Sequence, residues 1–205
     1  LHFTWDECCR SSSITNIANS GGTGYVLRAT MYPYIPPGST TPLTSGTLSN
    51  PTCYDSSPDF LVDPAVRACT GYETAYNLEG FDSDYDSIHF SIVQPMDKIV
   101  VDTTVSPPTT SILPVTWNTG YSTSSPFPSG ANSTAANLSN DGELTFKSAL
   151  SGIFALAVKV EAWRSSQLIS TIHRDLPMYI ANCTPPTGLC SAAYQSNSPD
   201  VSFQA

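Results

Sequence analysis

Positive charge is scarce in this chain: 8 Lys+Arg stand against 17 Asp+Glu, a formal net charge of -9, so electrostatic capture of a nucleic-acid backbone is excluded as a working principle. Long apolar runs are missing too. The longest, Ile153 to Val158, stops at Lys159, far short of a membrane span. No C-x-x-C pair occurs, which removes zinc ribbons and dithiol redox sites. Neither G-x-S-x-G, H-E-x-x-H, a P-loop nor G-x-G-x-x-G is present, and His2, His89 and His173 are far apart in sequence. The common catalytic mechanisms therefore lack their local signatures, and a non-enzymatic role is expected. Helical periodicity is absent throughout.

What the chain does have is 17 Pro, 10 Tyr and runs of Ser, Thr and Asn, a composition suited to extended strands joined by rigid turns. Six cysteines, Cys8, Cys9, Cys53, Cys69, Cys183 and Cys190, without metal-ligand spacing point to disulfides and an oxidising compartment. Cys183 with Cys190 would close a short loop; the other pairings stay open. Because the sequence opens on Leu1-His2-Phe3, it is expected to be a fragment of a longer secreted protein.

Period-two alternation predicts the strands. From Tyr25 to Tyr32, the residues Tyr25, Leu27, Ala29 and Met31 share one side, with Arg28 and Thr30 on a wet side. Ile88, Phe90 and Ile92 mark a second strand, entered through the acidic turn Asp82 to Asp86. Phe154, Leu156, Val158 and Val160 begin a long hairpin that returns through Leu168, Ser170 and Ile172 and continues to Cys183. Pro177 in that return marks an edge strand or a bulge. The sum is an all-β chain of immunoglobulin-like β-sandwich modules, two in tandem. Residues 1–52 read as an N-terminal β module, whole or incomplete, 53–184 as an immunoglobulin/cadherin-like sandwich, and 185–205 as a linker or the start of a next module. The faint echo of Ser56-Ser57-Pro58-Asp59 in Asn197-Ser198-Pro199-Asp200 supports that last reading.

The segments Phe3-Thr4-Trp5-Asp6-Glu7-Cys8-Cys9-Arg10 and Ile14-Thr15-Asn16-Ile17 resemble the CCRN and I-x-N region of large type IX-secreted surface proteins of gliding bacteria. Ser57 to Phe60, Phe81 to Ile88, Gly142 to Phe146, Gly152 to Glu161 and Arg174-Asp175 are similar to the same proteins in the same order. The Asp82-Ser83-Asp84 turn before a strand also resembles cadherin and polycystic-kidney-disease-type modules. This chain departs from the similar sequences at Tyr85, where they have Gly, and at Ser165-Ser166, where they have an Asn-Gly hairpin tip. The resemblance implies a structural or adhesive repeat module on the cell surface or in an extracellular filament, with neighbouring modules or subunits as partners. It also implies O-glycosylation at Ser87 and Thr103, each preceded by Asp.

Asp82, Asp84 and Asp86 gather hard oxygen ligands in one turn, and Glu161 and Asp175 complete a candidate calcium set if the sheet brings the strand ends together. Arg174 and Asp175 are expected to pair with each other or with Glu161. Trp117 and Trp163, with Trp5, Tyr121 and Phe127, are candidates for a sugar-stacking platform, the mark of a carbohydrate-binding module attached to a secreted enzyme. Asn132, Asn137 and Asn182 match the N-glycosylation pattern, which arises easily by chance in such a sequence.

Overall fold

A computed structural model describes residues 1–42 and 55–183; Cys53, Cys190 and the segment 185–205 lie outside the described residues. The frame is one long hairpin, β12 (Gly152–Arg164) and β13 (Gln167–Ala181). Its tip, Ser165-Ser166, holds two consecutive left-handed residues at φ 50 and 64, the conformation whose twist matches that of the flanking strands. β7 (Ser87–Val93) pairs with β12, β2 (Tyr25–Met31) with β13, and β1 (His2–Glu7) with β2, giving the order β1-β2-β13-β12-β7, all antiparallel. β4 (Val66–Cys69) runs parallel to the far end of β13. Three smaller sheets complete the chain: β10 (Thr134–Leu138), β11 (Glu143–Lys147) and β5 (Glu73–Asn77); β3 (Asp59–Phe60) and β6 (Gly80–Phe81); β8 (Met96–Asp102) and β9 (Thr109–Pro114).

The all-β prediction is met: apart from one 3-10 turn at Ser20–Gly22, every described element is a strand. The line drawn after residue 52 nevertheless cuts through a sheet, since Thr30 of β2 pairs with Thr171 of β13.

Phe154, Leu156, Val158 and Val160 point to one face of β12, and Leu176, Met178 and Ile180 of β13 and Phe90 of β7 join them there. Leu144 and Phe146 of β11 close over this face, with Phe127 stacked on Phe146 at 4.5 Å between centroids. Each such side chain contributes about 1.5–3 kcal/mol on burial, and truncating Phe154 to alanine would cost about 3–5 kcal/mol with its cavity. On the opposite face Ile17, Val115 and Ala155 form a smaller cluster.

Asn16, fully buried, plays the part of a short neighbouring strand: its Oδ1 accepts from Ala155 N–H at 2.9 Å, and its Nδ2 donates to the Ala155 carbonyl at 2.7 Å. The same amide reaches the Pro126 carbonyl. Both backbone groups of Ala155 thus turn away from β13, so its cross-strand neighbour Pro177 also directs its nitrogen away from β12. There β2 has ended at its Ile172 pairing and β4 has not begun its pairing at Met178, so no ladder bond is lost at the proline. The expected edge is local: β13 lies inside the sheet, and among the described residues it lacks a strand on that side between its pairings with β2 and β4, over residues 173–177.

Cys69 bonds to Cys183, not the expected Cys190, across 114 residues. The parallel register explains this, because Cys69 lies opposite Ala181 and Cys183 follows two residues on. Cys8 and Cys9 are joined to each other.

Candidate functional site

The acidic turn ahead of β7 is built around Asp82. Its Oδ1 accepts from the Asp84 N–H at 2.9 Å and the Asp86 N–H at 3.4 Å, fixing a turn in which Tyr85 takes a left-handed φ of 63. Burial raises the Asp82 carboxyl above its ordinary pKa, opposed by those two backbone bonds. Asp84 and Asp86 are delivered to Arg164 at the end of β12. The guanidinium grips Asp86 with two bonds, one of them Nε to Oδ1 at 2.8 Å, and reaches Asp55 Oδ1 at 3.1 Å and Asp84 Oδ2 at 3.7 Å. Carboxylate oxygens of Asp55, Asp84 and Asp86 lie within 4.8 Å of one another. Burial pushes the Asp55 carboxyl up to about 6 despite the pull of Arg164. The hydrogen bonds that Arg164 donates to Asp86 in turn hold its guanidinium protonated more firmly than usual, against the effect of burial. Chemically this is a clamp in which a guanidinium lies where the carboxylates would otherwise converge on a metal ion.

Of the predicted calcium set, Asp84 and Asp86 come together, with Asp55 as the third carboxylate, while Glu161 and Asp175 are engaged elsewhere. Glu161 is paired with Lys159 at 2.7 Å. Asp175 accepts from Arg10 at 2.7 Å, and the same guanidinium donates to the carbonyls of Gly24 and Met96. Burial raises the Asp175 carboxyl, and Arg10 opposes that rise. Arg174 pairs with neither Asp175 nor Glu161; it donates to the Val62 carbonyl and lies over the Phe60 ring at 4.1 Å. Cross-strand neighbours of a sheet share a face only at matched register, and in β12 and β13 Glu161 stands opposite Thr171, well along the strand from Asp175.

Trp117 and Trp163 likewise do not form one platform. Trp163 lines an open depression of about 610 Å³ with Ser87, His89 and Glu161, its ring edge-on to His89 at 6.4 Å. Trp117 lines a separate one with Ile92, Gln94 and Ser124. Tyr121 packs against the core and Phe127 is buried within it, whereas Trp5 is exposed on β1. Ser87, Thr103, Asn132 and Asn137 are all exposed.

A further surface stands out at β1 and β2. Ile172 faces Ala29, which faces Phe3, while Ile172 also faces Val160 of the core. Phe3, Trp5, Leu27 and Ala29 therefore continue the core face of the sheet past its covering layer. Leu1, Phe3, Trp5 and Leu27 are 73%, 56%, 48% and 37% exposed. This reverses the wet-face assignment for β2, where Val26 and Thr30 are the buried residues. All six residues of β1 are exposed, and its outer edge meets no strand among the described residues.

Sequence reasoning missed Asp55 and Arg164, which lie far in sequence from the turn they complete, and gave no role to Arg10 or Asn16. No protein family, curated protein or solved structure matches the chain.

Proposed function

We propose that this chain is a structural and adhesive module of a secreted surface protein or extracellular filament, of immunoglobulin-like sandwich type, acting through contacts with neighbouring modules, subunits or surfaces. The observation that carries the reading is the uncovered apolar strip Leu1, Phe3, Trp5 and Leu27 on an open sheet edge. Contiguous exposed apolar surface marks interaction sites, and an unpaired edge offers backbone groups to a partner. The Cys69–Cys183 disulfide supports an oxidising location. Electron microscopy of the native material, with a labelled chain carrying Phe3→Ser and Trp5→Ser added during assembly, tests it. The doubly substituted chain is expected to be excluded from the assembly; incorporation equal to that of the unsubstituted chain would sink the reading.

A second reading is carbohydrate recognition at the Trp163 depression, favoured by a partly exposed indole beside His89, Glu161 and Ser87. A glycan array signal lost in Trp163→Ala would support it; a blank array for the parent chain would end it.

A further inference from the structure

We propose that β1 pairs antiparallel with β1 of a second copy, about a two-fold axis through Thr4, joining the two main sheets into one. The inference rests on the contact-module reading and names its partner.

Backbone direction comes first. The Leu1 nitrogen donates to the Met31 carbonyl and the Met31 N–H to the Leu1 carbonyl, both at 2.8 Å. Leu1 therefore turns its backbone toward β2, and by alternation so do Phe3, Trp5 and Glu7. His2, Thr4 and Asp6 turn theirs outward. The β1–β2 register runs unbroken from His2 to Glu7, so no bulge twists this edge away, and β1 contains neither Lys nor Pro, the residues that usually block edge pairing.

Side chains come second, and β1 is self-complementary. With Thr4 opposite Thr4, His2 stands opposite Asp6 and Phe3 opposite Trp5, each pairing occurring twice by symmetry. The outward backbone groups of His2, Thr4 and Asp6 then meet outward groups only. The Phe3–Trp5 pairs fall at the closely approaching, non-hydrogen-bonded positions, about 4.5 Å between Cα atoms. His2 Nδ1 is engaged by Thr30 Oγ1 at 2.9 Å, which leaves the other ring nitrogen to donate to the Asp6 carboxylate of the second copy. Moving the axis to Phe3 places His2 opposite Thr4, and moving it to Trp5 places Asp6 opposite Thr4, so either shift breaks the His–Asp pairs. A two-fold axis perpendicular to the sheet keeps both apolar strips on one side, where they merge.

Sedimentation of the full chain tests this with three variants. Thr4→Pro removes an N–H that β2 does not use, so the thermal melt should hold while the dimer dissociation constant rises more than tenfold. His2→Glu places Glu opposite Asp6, and Asp6→Lys removes the acceptor facing His2; each alone should weaken association about tenfold, since every change acts twice. Mixed in equal amounts, the two recreate a Glu–Lys pair and a His–Asp pair and should form a one-to-one dimer of near wild-type affinity. A wild-type chain monomeric at about 1 mM overturns the pairing. So does association that Thr4→Pro leaves intact or that mixing does not restore, but this last result leaves the contact reading standing. That reading is judged separately, by the exclusion of the Phe3→Ser and Trp5→Ser chain from the native assembly.

Discussion

Replacing Arg164 by methionine keeps most of the aliphatic stem but removes the guanidinium shared by Asp55, Asp84 and Asp86. The side chains of Asp86 and Asp55 are only 4% and 12% exposed, so water cannot fully take over the neutralisation; Arg164 itself, at 21%, is not deeply buried. Breaking a buried pair costs about 3–5 kcal/mol, and the partial exposure places this one near the lower end, about 3 kcal/mol at neutral pH. For a chain of this size that lowers the melting temperature by roughly 6–12 °C. The loss should depend on pH in a definite direction. The Asp55 pKa is raised to about 6 in the fold from 3.8, so the folded state holds the extra proton between those values and stability falls as pH rises through that window. Without Arg164 the pull that lowers this pKa is gone, the window extends upward, and the variant should recover much of its deficit as pH falls toward 4. Calcium or terbium should then bind and restabilise the variant while leaving the wild-type melt unchanged, because ion and guanidinium compete for the same oxygens. Calorimetry and sensitised terbium luminescence read these effects. An Arg164→Met melt within 2 °C of wild type, a deficit independent of pH, or equal ion binding by both proteins would refute the reasoning, with 2 °C corresponding to roughly 0.5–1 kcal/mol.

Three further outcomes follow from the fold. Cys69→Ala with Cys183→Ala releases a 114-residue loop and should cost about 3–5 kcal/mol, read from the urea midpoint under non-reducing conditions. Asn16→Leu leaves the Ala155 N–H and two carbonyls without their buried partner, and should cost at least about 3 kcal/mol, checked by chemical denaturation together with loss of exchange protection at the Ala155 amide. Ser165→Asn with Ser166→Gly places residues tolerant of left-handed backbone at φ 50 and 64 and should raise the melting temperature by about 2–4 °C; a decrease would show that the tip is not held in that turn.

Strands were legible wherever alternation coincided with burial on one side, as in β7, β12 and β13. In β2 the alternation named the apolar face correctly, yet burial followed the other face. Sequence shows which face is apolar but not how far an opposing layer extends, and here the cover stops over β12 and β13 while β8 packs against β2. The acidic turn was legible because three carboxylates fall within five residues; its partners were not, because Arg164 and Asp55 arrive through pairing of distant strands. Arg10 and Asp175 show the same limit. Both belong to segments that stand out in the sequence, but their pairing depends on the path that brings the chain after β1 against β13. The left-handed positions Tyr85, Ser165 and Ser166 were not legible, because none is a glycine and the turn that imposes a positive φ is set by the strands on either side.

The Cys69–Cys183 bond also sets how the chain responds to tension. Force arriving beyond Cys183 passes through the covalent bond to Cys69 and bypasses the ladders that the strands β5 to β13 make with one another, while those of β13 with β2 and β4 remain in the load path. The enclosed 114-residue stretch, about 400 Å if fully drawn out, is withheld from extension until the bond is reduced. Under load this segment is inextensible in an oxidising medium, and reduction would turn it into a reserve of slack.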